Sequence, residues 1–151
     1  MDRSPDSSVF VTPRLTTASQ PSAGAIPALR AEGFDHVINL GLSGQPYSLP
    51  DEQSLVLSHG MAYTHIPVPF ESPEPAHFAA FLEAMDTTAG AKVFLHCAAN
   101  YRASAFAALY GVRRLGWDRA RAENHIAQVW KPNPVWRAFL DSLYAPARSG
   151  P

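Results

Sequence analysis

Two short apolar runs constrain this chain more than any other feature: Val37-Ile38-Asn39-Leu40 and Val93-Phe94-Leu95. Neither alternates polar with apolar residues, and each is too short to be a helix, so both read as strands buried on two faces. Such strands need helices above and below the sheet. The rest of the sequence supplies them, because from Val9 onward short apolar runs alternate with segments of helical spacing, the pattern of βαβ units. The expected fold is α/β, with a mostly parallel central sheet of about four strands flanked by helices.

The remaining elements follow from the same periodicities. One extended segment near Val9-Phe10-Val11 leads through Leu15 and Thr16 to Gln20-Pro21-Ser22, before a helix that holds Pro27 in its first turn and stops at Gly33. A short helix over 51–59 precedes the strand Tyr63-Thr64-His65-Ile66, which Pro67 and Pro69 end. Phe78, Phe81, Leu82 and Met85 form a core-facing helical stripe behind Pro75. Ala103 to Tyr110 is apolar on several faces and reads as a buried helix ending near Gly116. Asp118 caps a helix carrying Ala122, Ile126, Val129 and Trp130, and Asn133 caps a last one carrying Trp136, Phe139, Leu140 and Leu143.

With 151 residues, 46% of them hydrophobic, the chain is about one domain long. The expected organisation is a disordered leader over 1–8, a single domain over 9–146 and a tail over 147–151. Twelve basic and thirteen acidic residues give a net charge of -1, so no broad footprint for nucleic acid or an anionic membrane exists, and any anion selectivity must be local. The single cysteine cannot form an internal disulfide and fits a reducing compartment. A polar N-terminus without a signal-peptide pattern, and no bilayer-length apolar run, complete the expectation of a cytoplasmic protein. No two of the six histidines are spaced i, i+4 and thiolates are scarce, so no metal is expected. Oligomeric state stays open.

Chemistry concentrates at the end of the second buried run, where the chain reads His96-Cys97-Ala98-Ala99-Asn100-Tyr101-Arg102. In open parallel sheets ligands bind beyond the carboxyl ends of the strands, where loops feed helix N-termini. Cys97 stands at such an end. Unpaired N–H groups and the partial positive charge of a helix N-terminus bind oxyanions and favour a thiolate, so the loop can ionise its own nucleophile. Arg102 adds a planar fork of donors that grips two oxygens of a phosphate, and Ala98 to Arg102 form the expected phosphate-binding loop. His96 is positioned to order the loop or support the thiolate. The loop lacks the glycines that usually turn successive N–H groups inward, and Asn100 is the best substitute, so positive φ is expected at or next to it.

His-Cys, a short loop, an arginine and a hydroxyl residue together resemble the signature of the cysteine-dependent protein tyrosine and dual-specificity phosphatases. Thr16 to Ser22, Gly33 to Leu40 and Tyr63 to Val68 are similar to the compact bacterial members, so the likeness covers nearly the whole chain after the leader. The resemblance implies a hydrolase acting on phosphate monoesters, phosphotyrosine among them, through a phosphocysteine intermediate on Cys97. Its partner would be a phosphorylated small molecule or protein. It also implies that Ser104, at the family's distance from Cys97, donates to the thiolate leaving group.

Two features depart from the family pattern. Four residues separate Cys97 from Arg102 where the signature has five, a gap shared with many rhodanese-type sulfurtransferases, which carry sulfur as a cysteine persulfide. No Asp stands where these phosphatases keep their general acid. Glu71, which follows a strand and so falls on the same sheet edge as Cys97, is the candidate acid, with Glu74 second; the alternative for both is a solvated or helix-capping carboxylate. Three functions are therefore carried forward: phosphatase, sulfurtransferase with a Cys97 persulfide, and a catalytically weak phosphate-binding module.

Overall fold

The computed structural model describes residues 8–144. The expected leader, apart from Ser8, lies outside the described residues, as do the tail and the last two residues of the expected domain. The strands are β1 (Val9–Thr12), β2 (Leu15–Ala18), β3 (His36–Asn39), β4 (Ala62–His65) and β5 (Val93–His96). The helices are α1 (Ala25–Ala31), α2 (Glu52–Ser58), α3 (Pro75–Thr87), α4 (Tyr101–Arg114), α5 (Arg119–Ala127) and α6 (Pro134–Tyr144). The sheet runs β1-β2-β5-β3-β4, with β1 antiparallel to β2 and every other pair parallel.

The sheet thus has five strands, one more than the sequence reading supplied. The single extended segment expected over Val9 to Thr16 is a hairpin, because the chain turns at Pro13-Arg14 and folds β1 back on β2. Pro cannot donate to a ladder, and here it sits in the turn, leaving β1 on the sheet edge.

The pleat explains the two buried runs. Val37 is paired with Phe94 and Ile38 with Leu95, so alternate residues of β3 and β5 enter opposite cores. Val37 and Phe94 pack with Ile26, Leu29, Phe34 and Val56, the contributions of α1, the α1–β3 turn and α2. Ile38 and Leu95 pack on the larger side with Phe78, Phe81, Phe106, Trp136 and Leu140 from α3, α4 and α6. Fully burying each of these large side chains stabilises the fold by about 1.5–3 kcal/mol. Among the described residues no helix is long and apolar enough to cross a membrane.

The caps appear where the sequence put them. Asp118 accepts from the Arg121 N–H at 2.8 Å and Asn133 from the Trp136 N–H at 2.9 Å. Most important for function, His96 is in register with both Ala18 and Asn39. The carboxyl ends of β2, β5 and β3 therefore finish level, and the loop that leaves β5 emerges between two neighbouring strand ends.

Candidate active site

Cys97 follows β5 directly, and α4 begins at Tyr101. Asn100 has φ 70°, the only positive φ at a non-glycine position among the described residues, and it immediately precedes the helix. A left-handed residue there reverses the chain between strand and helix without a glycine. Arg102 lies inside the first turn of α4, because the helix starts at Tyr101, two residues before the expected Ala103.

The loop carbonyls are held from outside. His96 Nδ1 donates to the Cys97 carbonyl at 3.2 Å, and the Gln20 N–H donates to the Ala98 carbonyl at 3.1 Å. In a trans peptide the N–H points opposite to the C=O. Tying those two carbonyls to His96 and Gln20 therefore turns the Ala98 and Ala99 N–H groups away from His96 and Gln20, and both residues line a cavity.

That cavity, about 140 Å³, is lined by Phe70, Cys97, Ala98, Ala99, Tyr101 and Arg102. Cys97 has no exposure beyond it, and Arg102 is 5% exposed. The guanidinium donates from Nη1 to the Val68 carbonyl at 2.7 Å, while its Nε is buried without a partner. The Tyr47 and Phe70 rings flank it, each centroid 5.9 Å away. Among the described residues no carboxylate pairs with Arg102, although the surface arginines 30, 114, 119 and 137 all have one. A buried cation without a counter-charge is costly, and an anion bound in the adjoining cavity would supply the missing charge.

Behind the loop, His96 is fully buried and its Nε2 lies 2.5 Å from Glu52 Oε2 on α2. Gln20 donates from Nε2 to the other Glu52 oxygen at 2.8 Å. Ser104 is buried and its hydroxyl donates to the Tyr101 carbonyl at 2.9 Å, within the first turn of α4. Glu71 is exposed in the turn after Phe70, on the expected sheet edge, but does not line the cavity. Glu74 is the N-cap of α3, its N–H donating to His77 Nδ1 at 3.0 Å.

Sequence reasoning missed Phe70, Val68, Tyr47 and Glu52. Phe70 forms the cavity wall, and its carbonyl accepts from the Trp136 indole at 2.7 Å, which pins the β4–α3 loop to α6. Tyr101 lies flat on Trp130, rings 4.5 Å apart and 2° from parallel, on the same rim. An aromatic between two prolines just past a strand end was the available signal for Phe70; nothing local marks Glu52.

No protein-family model matches the sequence. A candidate phosphatase of the DUF442 family from Shewanella putrefaciens CN-32 is 34% identical, with a TM-score of 0.83, over 92% of this chain and 91% of that one. The chain belongs to the DUF442 family. Among curated proteins, a beta-lactamase hydrolase-like protein of Agrobacterium fabrum is 36% identical over 98 residues, 63% of this chain and 22% of that protein. The DUF442 chain thus spans about a fifth of that relative's length. TpbA of P. aeruginosa, solved in complex with pTyr, shares the fold at 16% identity, with a TM-score of 0.73 over 94% of this chain and 85% of that one. The solved relatives of this DUF442 chain are cysteine-dependent phosphatases of the protein tyrosine and dual-specificity type, and its own fold is theirs.

Proposed function

We propose that the chain is a cysteine-dependent phosphatase that hydrolyses phosphate monoesters through a phosphocysteine at Cys97. The observation that carries this reading is the buried, uncompensated Arg102 beside the only cysteine in one small cavity. The Cys97 thiolate attacks phosphorus as the ester P–O bond breaks, while Arg102 and the amides of the 98–102 loop hold the equatorial oxygens. Water then attacks the phosphocysteine, releasing inorganic phosphate and restoring the thiolate. No metal or cofactor enters these steps.

Protonation of the departing oxygen is assigned to Glu71, which is the exposed carboxylate next to the cavity wall formed by Phe70. Ser104, its one proton given to the Tyr101 carbonyl, serves by fixing the first turn of α4. A cavity walled by Phe70 and Tyr101 suits an aryl phosphate, and phosphotyrosine, the group bound in TpbA, belongs to that class. The location we assign is the cytoplasm.

Sulfur transfer is a second reading, favoured by the four-residue spacing between Cys97 and Arg102. Parallel assays with an aryl phosphate and with thiosulfate plus a thiol acceptor separate the two. Turnover of the phosphate ester is the expected result; turnover of thiosulfate alone would replace the phosphatase reading, and phosphate binding without either reaction would leave a recognition module.

A further inference from the structure

Glu52 is 3% exposed, yet its carboxylate has three polar neighbours: His96, Gln20 and the phenol of Tyr63. Burial drives the Tyr63 hydroxyl up to about 12, so that neighbour stays neutral around physiological pH. Gln20 fixes the direction of its own amide, because its Nε2 also faces the Pro21 carbonyl at 3.1 Å and both partners are acceptors.

The hydrogen-bond logic of His96 is equally restrictive. A carbonyl only accepts, so the contact with Cys97 requires a proton on Nδ1. One further proton then lies between Nε2 and Glu52 Oε2. Donation by Gln20 to Oε1, together with the position of Glu52 in the first turn of α2, stabilises the carboxylate, which leaves that proton on the ring. The imidazolium then stands between the Cys97 carbonyl, bonded at its Nδ1, and the balancing carboxylate of Glu52, bonded at its Nε2.

We propose that Glu52, clamped by Gln20, is the positioning residue of the Cys97 loop: it fixes the tautomer, orientation and charge of His96, which in turn holds the Cys97 carbonyl outward and favours the thiolate. This rests on Cys97 being the reactive group of the site. Gln20 serves twice, its side chain on Glu52 and its N–H on the Ala98 carbonyl, so one residue of the β2–α1 connection links the loop to the buried pair.

The test exploits the single cysteine, since alkylation by iodoacetamide followed by intact mass reports Cys97 alone. Alkylation rate is measured against pH for wild type, Glu52→Gln and Gln20→Leu, with thermal unfolding as the check on folding. Glu52→Gln keeps the shape and removes the charge; its alkylation midpoint moves up by about one pH unit, roughly a tenfold slower reaction near neutrality. On an aryl phosphate its kcat falls with KM little changed. Gln20→Leu moves the midpoint in the same direction by less, and decides the matter if Glu52→Gln does not fold. Wild-type alkylation profiles in the folded variants would overturn the proposal. Failure of wild type to turn over any phosphate ester would instead remove the phosphatase reading, and the alkylation profiles would still decide the role of Glu52.

Discussion

Arg102 carries its charge into an interior where Val68 offers a carbonyl dipole and Tyr47 and Phe70 offer ring faces, but no described residue offers a negative charge. The planar fork can keep the Val68 bond and still present other N–H groups to an oxyanion, which a single ammonium cannot do. Arg102→Lys is therefore expected to leave a folded protein whose kcat/KM on an aryl phosphate is down about a hundredfold, the size of losing one oxyanion donor. Steady-state kinetics check this; an Arg102→Lys enzyme within a fewfold of wild type would show that the fork is not used. At this scale, legibility followed distance along the chain. Cys97, Asn100 and Arg102 fall within six consecutive residues, so strand, turn and helix rules applied to them jointly. Glu52 meets His96 across 44 positions, and in the sequence it is one more acid in the first turn of a short helix.

At the scale of elements, α4 is fastened to the connection that follows it, which leads into α5, by close approach as well as by apolar burial. The Gly111 backbone lies under Trp117, whose N–H donates to the Gly111 carbonyl at 3.0 Å, and a methyl at Gly111 would sit 2.3 Å from the indole ring. In an open helix Gly→Ala would stabilise by about 1 kcal/mol through propensity. Here the indole is 9% exposed and packed within the larger core, so the clash wins: Gly111→Ala is expected to destabilise by about 1–3 kcal/mol. Chemical denaturation gives the sign directly. The helices were readable because their stripes and caps are local; α3 and α6 carry the apolar faces that the spacing of Phe78 and Trp136 required, whereas α5 buries Ala122 and Ile126 but ends at Ala127, before Val129 and Trp130 of its expected stripe. The β1–β2 hairpin was not, since Val9 to Thr16 has apolar and β-branched residues on both sides of Pro13-Arg14 and reads as a single extended segment.

Across the whole molecule, the parallel sheet brings the level ends of β2, β5 and β3 together and so sets the start of the Cys97 loop between two strand ends. The same burial gives stability a pH dependence. His36 and His125 both have pKa values lowered from 6.5 by desolvation, His36 bonded to Thr64 at 2.7 Å and His125 beside the Trp117 ring. The unfolded chain then binds more protons than the folded one below that value, so these two residues destabilise the fold as pH drops below 6.5 and have no effect well above it. Unfolding midpoints compared near pH 7.5 and about 5.5 should fall on acidification, and His125→Gln should make that fall shallower. An unchanged slope in His125→Gln would show that this imidazole takes up no proton on unfolding.

In the proposed reaction Cys97 forms a bond to phosphorus. Rapid acid quench of the protein during turnover of an aryl phosphate, with intact mass and peptide mapping, tests it most directly. One phosphoryl group is expected on the Cys97 peptide of wild type, and neither adduct nor turnover in Cys97→Ser. Undiminished hydrolysis by Cys97→Ser would contradict it.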